Sequence, residues 1–249
     1  MTQRIFRGLA AFAASAALML AQKPKSNEEI KAIQAVMSAQ QPDDKIKAVE
    51  DLVGKYKDTE FKDWAFSVAA EAAQAKRDNP KALFYYEQAI KANPKNYNAY
   101  LMMAALIAQT TRENDLDKDE KLGKAEKYVK SGMDLIPGAE KPNPQVTDEQ
   151  WAAMKKDDTA QAHVDLGMIA TVRKKHEVAA SEYKLALETA SQPDAVTMVR
   201  LAGAQADGGK ADDALATLDK VLAMANLNAQ IKGIAEQEKA RAQKMKSAK

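Results

Sequence analysis

The sequence predicts an all-α protein made of consecutive helix pairs, and three observations lead to that prediction. Apolar residues return every three or four positions through most of the chain, as they do in helices that bury one face. No segment shows the β-branched alternation that is typical of a strand. Only 10 glycines and 8 prolines occur, and several prolines separate one apolar stripe from the next: Pro42, Pro80, Pro94, Pro137 and Pro193.

Composition removes several classes of function. The 249 residues contain no cysteine, which excludes disulfides, cysteine-ligated zinc and thiol catalysis. The 37 Lys and Arg nearly balance the 35 Asp and Glu, so the charge does not favour a nucleic-acid partner. A hydrophobic fraction of 46% supplies enough apolar surface for a folded core.

The first 21 residues have the pattern of a secretory signal peptide. Arg4 and Arg7 precede an apolar run over residues 8–21, and a polar boundary begins at Lys23. The run is shorter than the roughly 20 residues of a membrane-spanning helix. We expect cleavage after Ala21 and an exported, periplasmic or extracellular protein; an uncleaved N-terminal anchor is the alternative. Without Arg4 and Arg7 the 37 basic residues become 35, which equals the 35 acids, so the mature chain would carry no excess charge. Once the apolar run is removed, we expect no membrane span in the mature chain.

One pattern of residues recurs along the mature chain. Ala82, Tyr86, Ala89 and Pro94 are spaced four, three and five residues apart. Related sets open at Ala48, Ala125, Ala179 and Ala214. A second helix-length stripe precedes each of the four sets that open at Ala82, Ala125, Ala179 and Ala214. Leu166-Gly167 adds a large residue followed by glycine in the preceding stripe of one set.

This pattern resembles the tetratricopeptide repeat (TPR), which has 34 residues and two helices. The resemblance implies a right-handed TPR-type α-solenoid of about five helical hairpins plus a C-terminal capping helix. After a linker at 22–28, the solenoid fills 29–249. Its parts are units 29–62, 63–96, 97–139, 160–193 and 195–228, a proline-containing insert at 140–159, and a capping helix at 229–249.

Local signals predict where individual helices begin and end. Thr147 and Gln150 form a capping signature, so a helix begins near Asp148 and carries Trp151 and Met154, with Trp151 packed on a neighbouring helix. A hinge within 141–144 is the alternative to a packed segment. Gly208-Gly209 ends a helix through a positive φ. Paired acids are expected at helix starts, where they complement the helix dipole: Asp43-Asp44, Asp157-Asp158 and Asp212-Asp213.

Few residues suggest chemistry. His163 stands at a large-residue position of its repeat and His176 in a turn between helices, and neither has the spacing of a zinc pair. Four acids match positions 1, 3, 5 and 12 of a calcium loop: Asp115, Asp117, Asp119 and Glu126. Glu120 stands where that loop requires glycine, and three lysines accompany the acids, so the four acids are a weak metal candidate. No catalytic residue or cofactor is predicted.

The resemblance also implies a binding surface, because the first helix of each TPR pair lines a concave groove. The residues assigned to that groove by phase are Trp64, Ser67, Glu71, Asn98, Leu101, Gln161, Met168 and Arg200. A carboxylate clamp is not evident, because clamp-type positions hold Ile33, Ser67, Leu101 and Met37 or Glu71. Trp64 is the strongest single candidate.

The predicted function is a non-catalytic protein–protein interaction scaffold or adaptor of the exported or envelope compartment. It would bind a peptide or helix of a protein partner in the groove, by shape and apolar contact. The first alternative is a structural component of an envelope or secretion assembly, with the repeat ends and the Trp151 segment as contacts. The second is an enzyme or calcium-binding module that uses the acidic loop.

Overall fold

A computed structural model describes residues 24–141 and 145–247. The predicted signal peptide at 1–21 lies outside the described residues. Within them, all regular secondary structure is helical. In chain order the helices are α1 (Asn27–Ser38), α2 (Pro42–Lys55), α3 (Lys62–Ala75), α4 (Asn79–Ala92), α5 (Tyr97–Thr110), α6 (Lys118–Leu135), α7 (Asp148–Val172), α8 (His176–Thr189), α9 (Ala195–Asp207), α10 (Ala211–Leu222) and α11 (Ala229–Ser247).

The chain divides into two compact units. Among the described residues, unit 1 consists of 24–106, 137–141 and 145–151, and unit 2 of 107–136 and 152–247. Within unit 1, helices α1 to α4 pack each on the next. Within unit 2, helices α8 to α11 do the same, and α9 also contacts α11. Neighbours in sequence are thus neighbours in space, as in helical-repeat folds.

Alanines allow the helices of unit 1 to approach closely. The fully buried small residues of α3 and α4 include Ala69, Ala70, Ala73, Ala82 and Ala89. Because a methyl group separates two helix axes less than a long side chain does, these positions permit tight packing. Tyr86 fills the space beside them, and its hydroxyl donates to Gln74 Oε1 at 2.8 Å. Burial raises the pKa of Tyr86, so this hydroxyl stays protonated as a donor.

Unit 2 uses a glycine at the corresponding close contact. A Cβ placed on Gly167 of α7 would lie 2.5 Å from Cε1 of Tyr183 on α8. Tyr183 is therefore seated directly on the α7 backbone. Its hydroxyl is 3.2 Å from Thr171 Oγ1, which donates to the Gly167 carbonyl at 2.8 Å. Burial raises the pKa of Tyr183, which keeps the phenol neutral in this position.

In three helix pairs, the two helices are joined by a turn of the same type. Backbone amides of Asp78, Lys175 and Lys210 donate to carbonyls five residues earlier, on Ala73, Ala170 and Gln205. The residue before each donor has a positive φ: Arg77 at 62°, Lys174 at 57° and Gly209 at 78°. This is the left-handed ending common to helices. The predicted positive φ at Gly208-Gly209 is confirmed for Gly209 alone.

Helix α7 begins where the sequence predicts and is an extended helix. Thr147 N donates to Gln150 Oε1 at 3.0 Å and Gln150 N donates to Thr147 Oγ1 at 3.2 Å, which confirms the capping box. The helix then runs without interruption to Val172. The placement of Asp157-Asp158 at a helix start is wrong, because both lie inside α7. Asp157 instead accepts from the Ser191 amide and hydroxyl at 2.7 and 2.9 Å, beyond the end of α8.

The last helix covers the end of unit 2. Ala235 and Ala242 of α11 are fully buried against α9 and α10. Three ion pairs flank them: Lys239–Asp219 at 2.6 Å, Arg241–Asp207 at 2.5 Å and Lys246–Asp212 at 2.6 Å. A narrow alanine face surrounded by charge suits a helix with one side in water, as in a terminal cap.

Candidate functional site

In unit 1, the predicted binding residues of α3 lie along one helix face. Trp64, Ser67 and Glu71 are spaced three and four residues apart, so their side chains stack on the same side. Trp64 is half-buried, with its ring edge-on to Phe61 at 6.4 Å between centroids. Trp64 therefore contributes some packing within the fold, which the sequence analysis had not assigned to it. Ser67 is half-buried and its hydroxyl donates to the Asp63 carbonyl at 2.9 Å, whereas Glu71 is exposed.

A carboxylate that the sequence analysis missed fixes this face. Asp63 is nearly buried, and its Oδ2 accepts from Asn93 Nδ2 at 2.9 Å and Asn96 Nδ2 at 3.1 Å. Asn96 also caps α5 by accepting from the Ala99 amide at 3.0 Å. The start of α5 is thereby held beside the start of α3. Asn98, in the first turn of α5, is exposed.

One residue of the predicted set and one clamp-type position contribute little accessible surface. Leu101 is only 5% exposed and Ile33, at the clamp-type position of α1, only 1%. Their side chains serve as core. The accessible part of the predicted site in unit 1 is accordingly Trp64, Ser67, Glu71 and Asn98.

In unit 2, the predicted residues occupy α7 and α9. Gln161 is half-buried, and its amide donates to Asp165 Oδ1 at 3.0 Å. Met168 packs against the core cluster that contains Tyr183, Leu201 and Ala204. Arg200 is exposed. The fully buried Asp165 was missed by the sequence analysis; an acid at an inward helical position was the available signal.

His163 contacts a carboxylate of α8, and His176 is the first residue of that helix. His163 Nδ1 is 2.8 Å from Glu182 Oε2, a contact that links α7 to α8. His176 is the first residue of α8, one position beyond the predicted turn, and its Cβ would lie 3.5 Å from a Cβ placed on Gly208.

Three of the four acids of the candidate calcium loop, Asp115, Asp117 and Glu126, are paired with cations. Lys121 Nζ lies 2.9 Å from Asp117 and 3.5 Å from Asp115. The Asp115 carboxylate also accepts from the Arg112 amide at 3.1 Å, and that hydrogen bond is the main cause of its lowered pKa. Across residues 24–141 and 145–247, no group of three or more His, Asp or Glu side chains is placed to hold a metal ion.

Glu126, the last acid of that pattern, takes part in a tertiary ion pair. Its Oε2 accepts from Arg173 Nη1 at 2.8 Å, and Oε1 is 3.3 Å from Lys130 Nζ. Arg173 follows the end of α7, so the pair joins α6 to α7 within unit 2. The hydrogen bond from Arg173 lowers the pKa of Glu126.

The lowered pKa of Glu126 predicts a pH dependence of stability. A carboxyl whose folded pKa lies below its unfolded value of about 4.3 stabilises the fold above that value and loses this contribution as pH falls through the folded pKa. Glu126→Gln should therefore cost about 0.5–1 kcal/mol at pH 7, because the pair is partly exposed, and less at pH 3. Urea unfolding at both pH values measures it. Glu120→Gln, which removes an exposed pair with Lys124 on the same helix, is the control and should cost less at pH 7. An equal cost of Glu126→Gln at both pH values would contradict the assignment.

No helix among the described residues is long and apolar enough to cross a membrane.

Comparisons with known proteins identify the fold. A crystal structure of a thermophilic TPR protein from Thermus thermophilus aligns with a TM-score of 0.58 at 16% identity, over 79% of this chain and 90% of that one. A TPR protein from Parabacteroides merdae aligns over 94% of this chain and 93% of that one, at 13% identity and a TM-score of 0.40. No family model matches the chain, and no curated protein matches it. The chain thus has the TPR fold, which confirms the predicted all-α fold class, with five helix pairs and the capping helix α11 among the described residues.

Proposed function

We propose that this chain is a non-catalytic scaffold or adaptor of the exported compartment that binds a peptide or helix of a protein partner. The binding surface would be the exposed faces of the first helices in each pair. The TPR fold supports this proposal, because its helices present repeated faces that can follow an extended partner. Three acids of the weak metal candidate, Asp115, Asp117 and Glu126, are engaged with lysine or arginine, which favours binding over chemistry.

The observation that carries the proposal is the α3 face of unit 1. It combines a half-buried indole at Trp64 with the carboxylate of Glu71 and, at the start of α5, the amide of Asn98. An indole can bury a large apolar area while its N–H donates a hydrogen bond, which is why tryptophan is common among residues that dominate binding energy. The Asp63 contacts with Asn93 and Asn96 hold α3 and α5 in place before a partner arrives.

Variants of each unit test this assignment separately. The exported form, residues 22–249, would be crosslinked to the exported fraction and the captured proteins quantified. We expect Trp64→Ala with Asn98→Ala to reduce capture of a specific partner at least tenfold, and Arg200→Ala to reduce it if the partner extends onto unit 2. Lys47→Ala and Lys220→Ala, on exposed positions of second helices, are matched controls. Equal capture by wild type and the Trp64/Asn98/Arg200 variant would refute the groove assignment.

The rival proposal is a structural component that makes contact through repeat ends and the Trp151 segment. Trp151 is only 7% exposed and its indole donates to the Ala139 carbonyl at 3.3 Å, so it offers little contact surface. That geometry favours the scaffold. A partner whose capture survives every first-helix variant but is lost when α11 is altered, for example by Ile234→Glu, would favour the rival.

Export is the remaining part of the proposal. Its support is the sequence pattern of residues 1–21. Expression in a bacterial host followed by fractionation and N-terminal sequencing should yield a periplasmic protein that begins at Gln22. A chain that retains Met1 and stays in the cytoplasm would contradict export.

A further inference from the structure

Unit 1 contains a second open surface, formed mainly by second helices. An open cleft of about 500 Å³ lies between α2 and α4 above α3. We call it the α2–α4 cleft; it is lined by Glu50, Val53, Gly54, Lys62, Phe66, Phe84, Tyr85, Gln88, Lys91 and Ala92. None of these residues belongs to the predicted groove.

Aromatic rings line the cleft. Phe66 stacks on Tyr85 with centroids 6.2 Å apart and an interplanar angle of 23°, and Phe84 meets Tyr85 edge-on at 5.4 Å. The Phe84 side chain is largely in solvent, with 54% of the residue exposed. A single exposed phenylalanine is ordinary, but three adjoining rings in a concave site offer a place for another apolar side chain.

Polar contacts fix one wall of the cleft. The Tyr85 hydroxyl donates to Glu50 Oε1 at 2.5 Å, which joins α4 to α2. Lys81 Nζ lies 3.6 Å from the same Glu50 oxygen and 5.7 Å from the Tyr85 ring centroid. Burial, together with the hydrogen bond to Glu50, raises the pKa of Tyr85, so the hydroxyl remains a donor at neutral pH. The wall is formed before any ligand binds.

A glycine leaves the mouth of the cleft open. A Cβ on Gly54 would have no heavy atom within 4 Å, although the residue lies in the last turn of α2. Because no atom lies near that Cβ, packing does not require a glycine at this position. Helix propensity does not explain it either, because glycine is a poor helix former. A longer side chain there would extend over the cleft without disturbing the core.

Among the residues that line the cleft, two lysines stand against one acid. That acid, Glu50, is already engaged by Tyr85 and Lys81. Lys62 and Lys91 border the cleft, and the Lys91 side chain is 61% exposed and pairs with Glu87 on its own helix at 2.9 Å. Lys62 Nζ donates to a backbone carbonyl, that of Lys57 at 3.2 Å. The rim is thus complementary to a carboxylate beside an apolar group.

From this arrangement we infer that the α2–α4 cleft binds a short peptide segment of a protein partner, in which a large apolar side chain stands next to an Asp or Glu. The apolar side chain lies against Phe66 and Phe84, and the carboxylate pairs with Lys62 or Lys91. The lining of α4 from Phe84 to Ala92 covers eight helical steps, about 12 Å, which an extended segment of about four residues spans. This surface shares none of the predicted groove residues Trp64, Ser67 and Glu71, so the chain would hold two partner segments.

Selection from a peptide library tests the inference directly. Phage-displayed random dodecapeptides would be selected on the full chain after depletion on its Gly54→Gln variant, which keeps the helix but covers the cleft. We expect a consensus with Phe, Trp, Leu or Ile within two positions of Asp or Glu. A synthetic consensus peptide, measured by fluorescence polarisation, should bind at least tenfold more weakly to Gly54→Gln, Phe84→Ser and the Lys62→Glu/Lys91→Glu pair, and more weakly at high salt.

Two controls separate this result from others. Val178→Ser changes an exposed apolar residue of α8 in unit 2 and should leave peptide affinity unchanged. Trp64→Ala should also leave it unchanged; loss with Trp64→Ala but not with Gly54→Gln would overturn the cleft while leaving the proposed function intact. A selection without cleft-dependent peptides, or with a basic consensus, would overturn it. So would sedimentation revealing a dimer that Phe84→Ser dissociates, since the occupant would then be a second copy.

Discussion

Replacing Tyr86 with alanine should lower the free energy of unfolding by about 3–5 kcal/mol, the range for removing a large aromatic side chain from a core. Tyr86 is 1% exposed and is the largest of the fully buried side chains in the described residues. Its ring accompanies Ala82 and Ala89 on α4, where small residues leave no side chain able to fill the vacated space. Urea unfolding followed by far-UV circular dichroism measures the change. Against a typical total of about 5–15 kcal/mol, the loss would be large.

Two substitutions on the same helix are controls for the Tyr86 prediction. Tyr86→Phe retains the ring and removes only the hydrogen bond to Gln74, so it should cost about 0.5–1.5 kcal/mol. Phe84→Ala removes a similar ring that is mostly in solvent, and should change stability by about 0.5 kcal/mol. If Tyr86→Ala cost no more than Phe84→Ala, the small-residue contact between α3 and α4 would not be the source of stability in unit 1.

Helix positions could be predicted from the sequence because the signals for them are local. Pro42 and Pro80 stand in the first turns of α2 and α4, where a missing N–H costs no hydrogen bond. Thr147 and Gln150 satisfy each other's amides at the start of α7. The recurrence of Ala, Tyr and Ala at fixed spacing then indicated which faces meet. Each signal lies within one helix and its ends, so it can be read without knowing the fold.

The contacts that were missed join residues far apart in sequence. Asp63 accepts from asparagines 30 and 33 positions later, and Glu126 from an arginine 47 positions later. Nothing in the local sequence distinguishes these acids from exposed ones such as Glu71. The prediction for Asp157-Asp158 was wrong for a related reason. Two adjacent acids are compatible with a helix start, but they can also lie in the middle of a continuous helix when a distant residue, here Ser191, donates a hydrogen bond to one of them.

The left-handed turns show a different limit. Glycine adopts a positive φ without strain, so Gly208-Gly209 could be recognised as a helix end. Arg77 and Lys174 adopt the same conformation in equivalent turns, although neither residue type favours it. There the packing of the two helices on each other sets the backbone, and the hydrogen bonds from Asp78 and Lys175 hold it. Tertiary packing, which overrides local preference at these positions, is not visible in a single sequence.

Replacing Gly167 with valine should destabilise unit 2 by about 3 kcal/mol, at the upper end of the range for overpacking. A Cβ there would lie 2.5, 2.7 and 2.9 Å from three ring carbons of Tyr183. The ring has little freedom to move, because Tyr183 is 2% exposed and its hydroxyl contacts Thr171. Gly123→Val is the matched control: Gly123 also lies in a helix of unit 2, but a Cβ on it meets nothing within 4 Å. That variant should be neutral or slightly stabilising, since valine is the better helix former.

A double-mutant cycle distinguishes a clash with Tyr183 from a general effect of valine on α7. Tyr183→Leu removes the ring carbons that the new side chain would strike, while keeping the site apolar. In that background we expect Gly167→Val to cost at least 1.5 kcal/mol less than in wild type, within the range of about 0.5–3 kcal/mol for directly coupled residues. Chemical denaturation of the four proteins gives the coupling energy. Additive costs would mean that the glycine is not required by Tyr183, and the close seating of α8 on α7 would need another explanation.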